Sequence, residues 1–136
     1  MNRELPKIAV FLHSGEYDLM HQGLSIAAAA AASGRPVEVF FFWWALERLT
    51  QGRLDEPDFG PERESLAARF EARGTPTLRA LLSHLRESGK CTLYGCTGSM
   101  GILGLENSGI EGAVDRWVGW NAILQITTGV VDRFYL

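Results

Sequence analysis

The sequence predicts an α/β domain built on a mostly parallel five-stranded sheet with helices on both faces. Segments of strand character alternate with segments of helix character along the chain, which is typical of parallel sheets with helical crossovers. The strand segments are apolar nearly throughout, as strands covered on both faces are. The length of 136 residues suits a single domain that buries a substantial core without a disulfide or a metal.

The first third of the chain is predicted to contain two strands and two helices. The apolar run at residues 7–13 predicts a buried strand, although charges before it give it a superficial likeness to a signal peptide. Residues 18–33 include six consecutive alanines and predict a helix that can lie close to the sheet, ended by Gly34. Residues 37–42 predict the second strand, and residues 43–51 predict a short helix.

The middle of the chain is predicted to contain an irregular segment followed by two helices. Residues 53–61 combine acidic residues with glycine and proline, so we expect a surface loop, which could also flank a docking surface. Pro61 is expected to open a helix that Gly74 closes. The next helix is expected between Thr75-Pro76 and Gly89. Its apolar stripe has helical spacing and consists of Leu78, Leu81, Leu82 and Leu85.

The last third is predicted to supply three strands. Residues 91–94 predict the third strand, and residues 95–104 form a glycine-rich turn that gains helical character. Residues 113–118 predict the fourth strand and residues 121–128 a short helix. Residues 130–135 predict the fifth strand.

Composition excludes several classes of protein. Thirteen Lys and Arg against sixteen Asp and Glu give a net charge of −3, so no basic field is available for nucleic acid. No span approaches the roughly 20 apolar residues of a transmembrane helix. Two cysteines are too few for a secreted disulfide framework, so we expect free thiols in the cytoplasm. The histidines and cysteines have no metal-ligand spacing, so we expect no metal site.

The candidate site lies at the carboxyl ends of the strands, where chemistry collects in parallel sheets. Cys96 follows the third strand directly and precedes Thr97-Gly98-Ser99. If a helix begins there, its backbone N–H groups stabilise a thiolate, which is the nucleophilic form of cysteine. Gly95, Thr97, Gly98 and Ser99 are therefore expected to support the site. An ordinary buried thiol is the other interpretation of the same position.

The remaining candidates surround this thiol in the predicted topology. His13 ends the first strand and could stabilise a thiolate if that strand is central, or it could be purely structural. Cys91 begins the third strand, about 16 Å from Cys96. A disulfide requires Cα atoms within about 7 Å, so we expect Cys91 to be a structural thiol.

The four tryptophans gather at strand ends, where they could line a pocket, form a subunit interface or pack at the edge of the core. The expected pocket or interface residues are Trp43, Trp44 and Trp120. Apolar residues in such excess for a small domain predict a homo-oligomer. The glycine-rich turn and the tryptophans also allow two further hypotheses. One is a non-catalytic oligomeric binding module for a nucleotide or small anionic ligand, and the other is an oligomeric structural protein with an incidental cysteine.

The run at residues 96–105 resembles the cysteine motif of the DsrE/DsrF-like sulfur-relay family, in its "peroxiredoxin-like" branch. The positions that match are Ser99, Met100, Leu103, Gly104 and Leu105. Gly98 and Gly101 stand where the motif has bulkier residues. Residues 110–120 resemble the Ile-x-Gly-Val strand of that branch, and the opening KIAVFLHSGEYD and the strand VEVFFF also fit, so the resemblance covers essentially the whole chain.

The resemblance implies that residues 1–136 form one DsrE/DsrF-like domain, a three-layer α/β/α sandwich that assembles into dimers, trimers or hexamers. It implies that Cys96 accepts sulfane sulfur as a persulfide and passes it on. The leading hypothesis is therefore a cytoplasmic sulfur-transfer protein with donor and acceptor proteins and without a metal or organic cofactor. Whether it turns over as a sulfurtransferase enzyme is left open.

Overall fold

Five parallel strands form one sheet in a computed structural model that describes residues 5–105, 110 and 112–136. Residue 111, in the segment that resembles the family's later strand, lies outside these ranges. The strands are β1 (Ile8–Leu12), β2 (Val37–Phe41), β3 (Cys91–Cys96), β4 (Arg116–Val118) and β5 (Asp132–Tyr135). Their order across the sheet is β4-β3-β2-β1-β5, and every pairing is parallel. This confirms the predicted α/β fold, with β2 rather than β1 as the middle strand.

Six helices connect the described strands. They are α1 (Tyr17–Ala32), α2 (Trp43–Thr50), α3 (Ser65–Arg73), α4 (Leu78–Ser88), α5 (Thr97–Ile102) and α6 (Trp120–Ile126). Pro61 opens a separate 3₁₀ turn, and α3 begins only at Ser65. Helix α4 begins at a cap in which the Thr77 side chain accepts from the Ala80 N–H at 3.1 Å, and it ends at Gly89 in the left-handed conformation.

The two faces of the sheet are covered differently. On one face, α1 and α4 contribute Met20, Leu24 and the leucine stripe to an aliphatic core with Val10 and Val39 of the sheet. On the other face, the short helix α6 contributes Ile123 to a smaller core rich in aromatic rings. The second face therefore has the thinner helical layer.

A row of rings crosses this second face from edge to edge. The strand register aligns Tyr135, Phe11, Phe40, Tyr94 and Arg116 on five neighbouring strands. Successive ring centroids lie 4.5, 5.0 and 4.7 Å apart, and the Arg116 guanidinium lies 5.8 Å from the centre of the Tyr94 ring. Stacked aromatic pairs of this kind tie neighbouring strands together beyond their backbone ladder. The row runs directly below the carboxyl edge of the sheet.

Strand β4 is shorter than the sequence predicts. The predicted strand begins at residue 113, whereas the observed strand contains only Arg116–Val118. The chain just before it is held by Asp115. Its N–H donates to the Leu93 carbonyl at 2.9 Å, and its carboxylate accepts from the Leu93 N–H at 2.7 Å. A carboxylate thus takes the place of a ladder carbonyl at the start of this edge strand.

Candidate functional site

A cavity of about 530 Å³ opens at the carboxyl edge of the sheet. Cys96 ends β3, His13 follows β1, and Phe42 follows β2, so three neighbouring strand ends contribute to it. Helix α5 adds Ser99 and Ile102 to the wall. The topology of the parallel sheet therefore places the predicted site residues of separate segments around one opening.

Cys96 is a free thiol at the junction of β3 and α5. Cys96 is only 6% exposed, yet it lines the cavity. Cys96 has extended backbone and caps α5, and the Ser99 N–H donates to its sulfur at 3.5 Å. The start of α5 thus directs a backbone hydrogen-bond donor at the sulfur.

The residues around Cys96 have separable roles. The Thr97 hydroxyl donates to the Val118 carbonyl at 3.4 Å, which attaches the start of α5 to the end of β4. Gly98 lies beside the sulfur, since a Cβ at this position would sit 3.7 Å from Sγ, an ordinary contact distance. Ser99 is buried and supplies the N–H described above.

Gly95 has a packing role that the sequence did not indicate. A Cβ at this position would lie 2.4 Å from the Trp117 ring, which is too close for any side chain. The glycine therefore lets the Trp117 indole of the neighbouring edge strand approach β3 closely. Trp117 packs against the aliphatic core on the face that carries α1 and α4, and it does not line the Cys96 cavity.

His13 lines the same cavity as Cys96, although β2 lies between their two strands. Its backbone is fixed on both sides: its N–H donates to the Leu136 carbonyl at 2.7 Å, and its carbonyl accepts from the Ala45 N–H at 3.1 Å. Its ring lies 6.5 Å from the Trp43 ring, centre to centre. The imidazole is thus positioned at the wall, at the opposite side of β2 from the thiol.

Two of the three singled-out tryptophans line the cavity. Trp43 does so from a left-handed backbone with φ of 43°, which is rare for a residue with a bulky side chain. Trp120 is 53% exposed and stacks on Phe42 with ring centres 5.2 Å apart. Trp44 is also exposed, but it lines a separate small depression beside Ser14 rather than the Cys96 cavity.

Sequence reasoning missed five residues of the wall. They are Phe11, Phe42, Ile102, Tyr135 and Leu136. Two of them, Tyr135 and Leu136, stand at the carboxyl end of the predicted fifth strand, so the rule that identified the other candidates could also have found them. Ile102 follows Cys96 by six positions, and only the winding of α5 brings it to the rim.

Cys91 lies at the other end of β3 from Cys96 and is also a free thiol. Burial raises the pKa of its thiol to about 12, and the negative charges of Asp115 and Glu38 act in the same direction. A thiol with this pKa is almost entirely protonated at neutral pH, so it is a poor nucleophile.

Neither a metal centre nor a membrane span emerges from residues 5–105, 110 and 112–136. Within those ranges, His, Cys, Asp and Glu form no group of three or more that could hold a metal ion. The helices of the same ranges also lack the length and apolar content needed to cross a bilayer.

Comparison of the chain with models of known protein families and with curated proteins finds no match. The DsrE/DsrF-like assignment therefore rests on the cysteine motif and stays a prediction.

Proposed function

We propose that this chain is a sulfur-transfer protein in which Cys96 carries sulfane sulfur as a persulfide. The observation that carries the proposal is the position of Sγ. It lines a cavity at the carboxyl edge of a parallel sheet, and the first turn of α5 directs the Ser99 N–H at it from 3.5 Å. A partly accessible thiol with a backbone donor suits thiolate chemistry.

Loading and unloading are two displacement reactions at sulfur. In loading, the Cys96 thiolate attacks the outer sulfur of a donor persulfide, the donor S–S bond breaks, and the donor leaves as a thiolate. In unloading, an acceptor thiolate attacks the outer sulfur of the Cys96 persulfide, and the Cys96 thiolate is the leaving group. Gly98 and the Ser99 N–H lie beside the reacting sulfur, and His13 lines the same cavity on the other side of β2.

The same geometry argues against the anionic-ligand alternative. No Lys or Arg side chain of the described residues lines the cavity, so a nucleotide phosphate would have no cation to pair with there. Apolar and aromatic side chains make up most of the wall instead.

Homo-oligomerisation and exchange with partner proteins belong to the same proposal. Large apolar side chains are also exposed outside the cavity, at Trp44, Leu124 and Val131, and apolar surface of this kind is typical of contacts between proteins. We propose a cytoplasmic homo-oligomer of two, three or six copies that takes sulfur from one protein and gives it to another. Catalytic turnover as a sulfurtransferase requires only that Cys96 alternate between the thiolate and the persulfide.

Intact-mass measurement after incubation with inorganic polysulfide tests the proposal. We expect a gain of about 32 Da, reversed by a reductant, because persulfidation adds one sulfur atom. Cys96→Ser should abolish the gain, and the matched Cys91→Ser variant should retain it. An unmodified wild-type mass, or a gain that persists in Cys96→Ser, would reject Cys96 as the carrier.

A further inference from the structure

Building on the proposed function, we infer that the cavity beside Cys96 selects an uncharged small molecule with an aromatic ring. The low-molecular-weight partner of the thiol would accordingly be an apolar aromatic thiol or persulfide. The inference concerns the ligand class, which neither the sequence motif nor the persulfide chemistry specifies.

The size and charge of the cavity give the first argument. About 530 Å³ is within the range of small-molecule sites, roughly 300–1,000 Å³. No Lys, Arg, Asp or Glu side chain of the described residues lines it, and its polar side chains are those of His13, Cys96, Ser99 and Tyr135. A carboxylate or sulfonate on the ligand would lose water without gaining a cationic partner, so charged ligands are disfavoured.

The arrangement of the rings gives the second argument. Phe11 and Tyr135 are stacked at 4.5 Å with only 9° between their planes, and Phe42 and Trp120 are stacked at 5.2 Å with 16°. All four rings line the cavity. Phe11 and Phe42 lie 6.3 Å apart with 18° between their planes, so the two pairs form one near-parallel series of rings. Trp120 and Tyr135 are 53% and 67% exposed, so a ring bound against them would cover apolar surface that the isolated chain leaves to water.

The Trp43 backbone gives the third argument. Its φ of 43° is unfavourable for a residue with a side chain, and such conformations persist where the surrounding structure requires them. Here the conformation begins α2 and sets the indole in the cavity wall near His13. The fold thus maintains a fifth aromatic wall residue against a local conformational preference.

For a bound aromatic persulfide, the transfer step is balanced without any other reagent. The Cys96 thiolate attacks the outer sulfur of R–S–SH, a bond forms between Sγ and that outer sulfur, and the S–S bond of the donor breaks. The products are the Cys96 persulfide, which keeps the proton on its outer sulfur, and the aromatic thiolate R–S⁻. No electrons enter or leave the pair.

Binding can be measured separately from reaction in Cys96→Ser, which removes the nucleophile. The probes are benzyl methyl sulfide and its carboxylate analogue 4-(methylthiomethyl)benzoate, followed by tryptophan fluorescence and calorimetry. We expect the neutral probe to bind at least about tenfold more tightly, because the carboxylate must be desolvated without a partner. Absence of binding, or equal affinity for the two probes, would overturn the inference.

A charge placed at the rim gives the matched test. Ile102 lines the cavity and is 70% exposed, whereas Leu124 on α6 is 60% exposed and lies outside the lining. Introduced into Cys96→Ser, Ile102→Lys should weaken binding of the neutral probe and strengthen binding of the carboxylate. Leu124→Lys in the same background should change neither. The same response to both lysines would overturn the inference.

Persulfide loading and sedimenting mass, measured beside probe binding, separate the ligand class from the proposed function and from a contact between copies. If wild-type Cys96 is loaded by inorganic polysulfide but the neutral probe does not bind, the ligand class is wrong and the proposed function stands. If the neutral probe binds selectively but no persulfide forms, the ligand class stands and the proposed function fails. If neither probe binds and Ile102→Lys lowers the sedimenting mass, the rim is a contact between copies, and the inference is overturned.

Discussion

At the scale of single residues, β3 carries two identical thiols in different surroundings. Cys96 borders a cavity and accepts a hydrogen bond from the Ser99 N–H. Cys91 lies beside Asp115 and Glu38, and burial together with these charges raises its pKa to about 12. We therefore expect the position of each thiol along the strand to decide its reactivity.

Alkylation rates measure this difference directly. At pH 7 roughly one Cys91 thiol in 10⁵ is ionised for a pKa of about 12. We expect iodoacetamide to modify Cys96 at least about tenfold faster than Cys91 in the native protein. Cys91→Ala and Cys96→Ala, each with one remaining thiol, allow both rates to be followed by intact mass. Equally slow labelling of the two variants would show that the cavity does not make Cys96 reactive.

At the scale of elements, the loop at residues 53–61 is held by a buried arginine. Arg48 on α2 donates to the Glu56 carbonyl at 2.8 Å and to the Asp58 carboxylate at 2.7 Å. The other oxygen of Asp58 accepts from the Tyr17 N–H at 3.1 Å, at the first turn of α1. The loop is mostly exposed, as expected for a surface loop, and its bonds also join α2 to the start of α1.

Asp58→Ala tests the strength of this connection. The change leaves the buried Arg48 guanidinium and the Tyr17 N–H short of an acceptor, so we expect the free energy of unfolding to fall by about 1–3 kcal/mol. Asp58→Asn, which keeps one of the two acceptor oxygens and loses the charge, should lose less than Asp58→Ala. Asp55→Ala breaks the exposed pair of Asp55 with Arg79 and should cost about 0–1 kcal/mol. Equal stability of the two alanine variants in urea titrations would contradict this account.

The sheet was predictable because its strands are local apolar runs and alternate with helices. The position of the cavity followed from the same pattern, since Cys96 ends β3 and His13 follows β1. Trp43 and Trp44 could not be separated from the sequence, because neighbouring helical residues point about 100° apart and the orientation depends on an unusual φ. The connection between Arg48 and Asp58 was also invisible, because it depends on which long side chain is buried.

At the scale of the whole molecule, the buried Tyr94 and the half-buried Cys91 connect stability to pH. Burial, and then the hydrogen bond and charge of Glu38, raise the pKa of Tyr94 from 10.0 to about 12. The pKa of Cys91 rises from 9.0 to about 12. Both groups are neutral in the folded chain over a pH range in which the unfolded chain releases their protons. Their stabilising effect is therefore complete below about pH 9 and is lost as the pH rises towards 12.

The expected result is a decline in the free energy of unfolding that begins near pH 9. Between its unfolded and folded pKa values, each group lowers stability by about 1.4 kcal/mol per pH unit, so Cys91 acts first and Tyr94 joins it above about pH 10. Urea titrations from about pH 8 to about pH 11 measure the slope. Cys91→Ala should remove the decline between about pH 9 and 10, whereas Tyr94→Phe, which keeps the stacked ring, should leave that part and reduce the slope above it. A stability that is flat to about pH 11, or an unchanged slope in both variants, would mean that neither acid is held neutral by the fold.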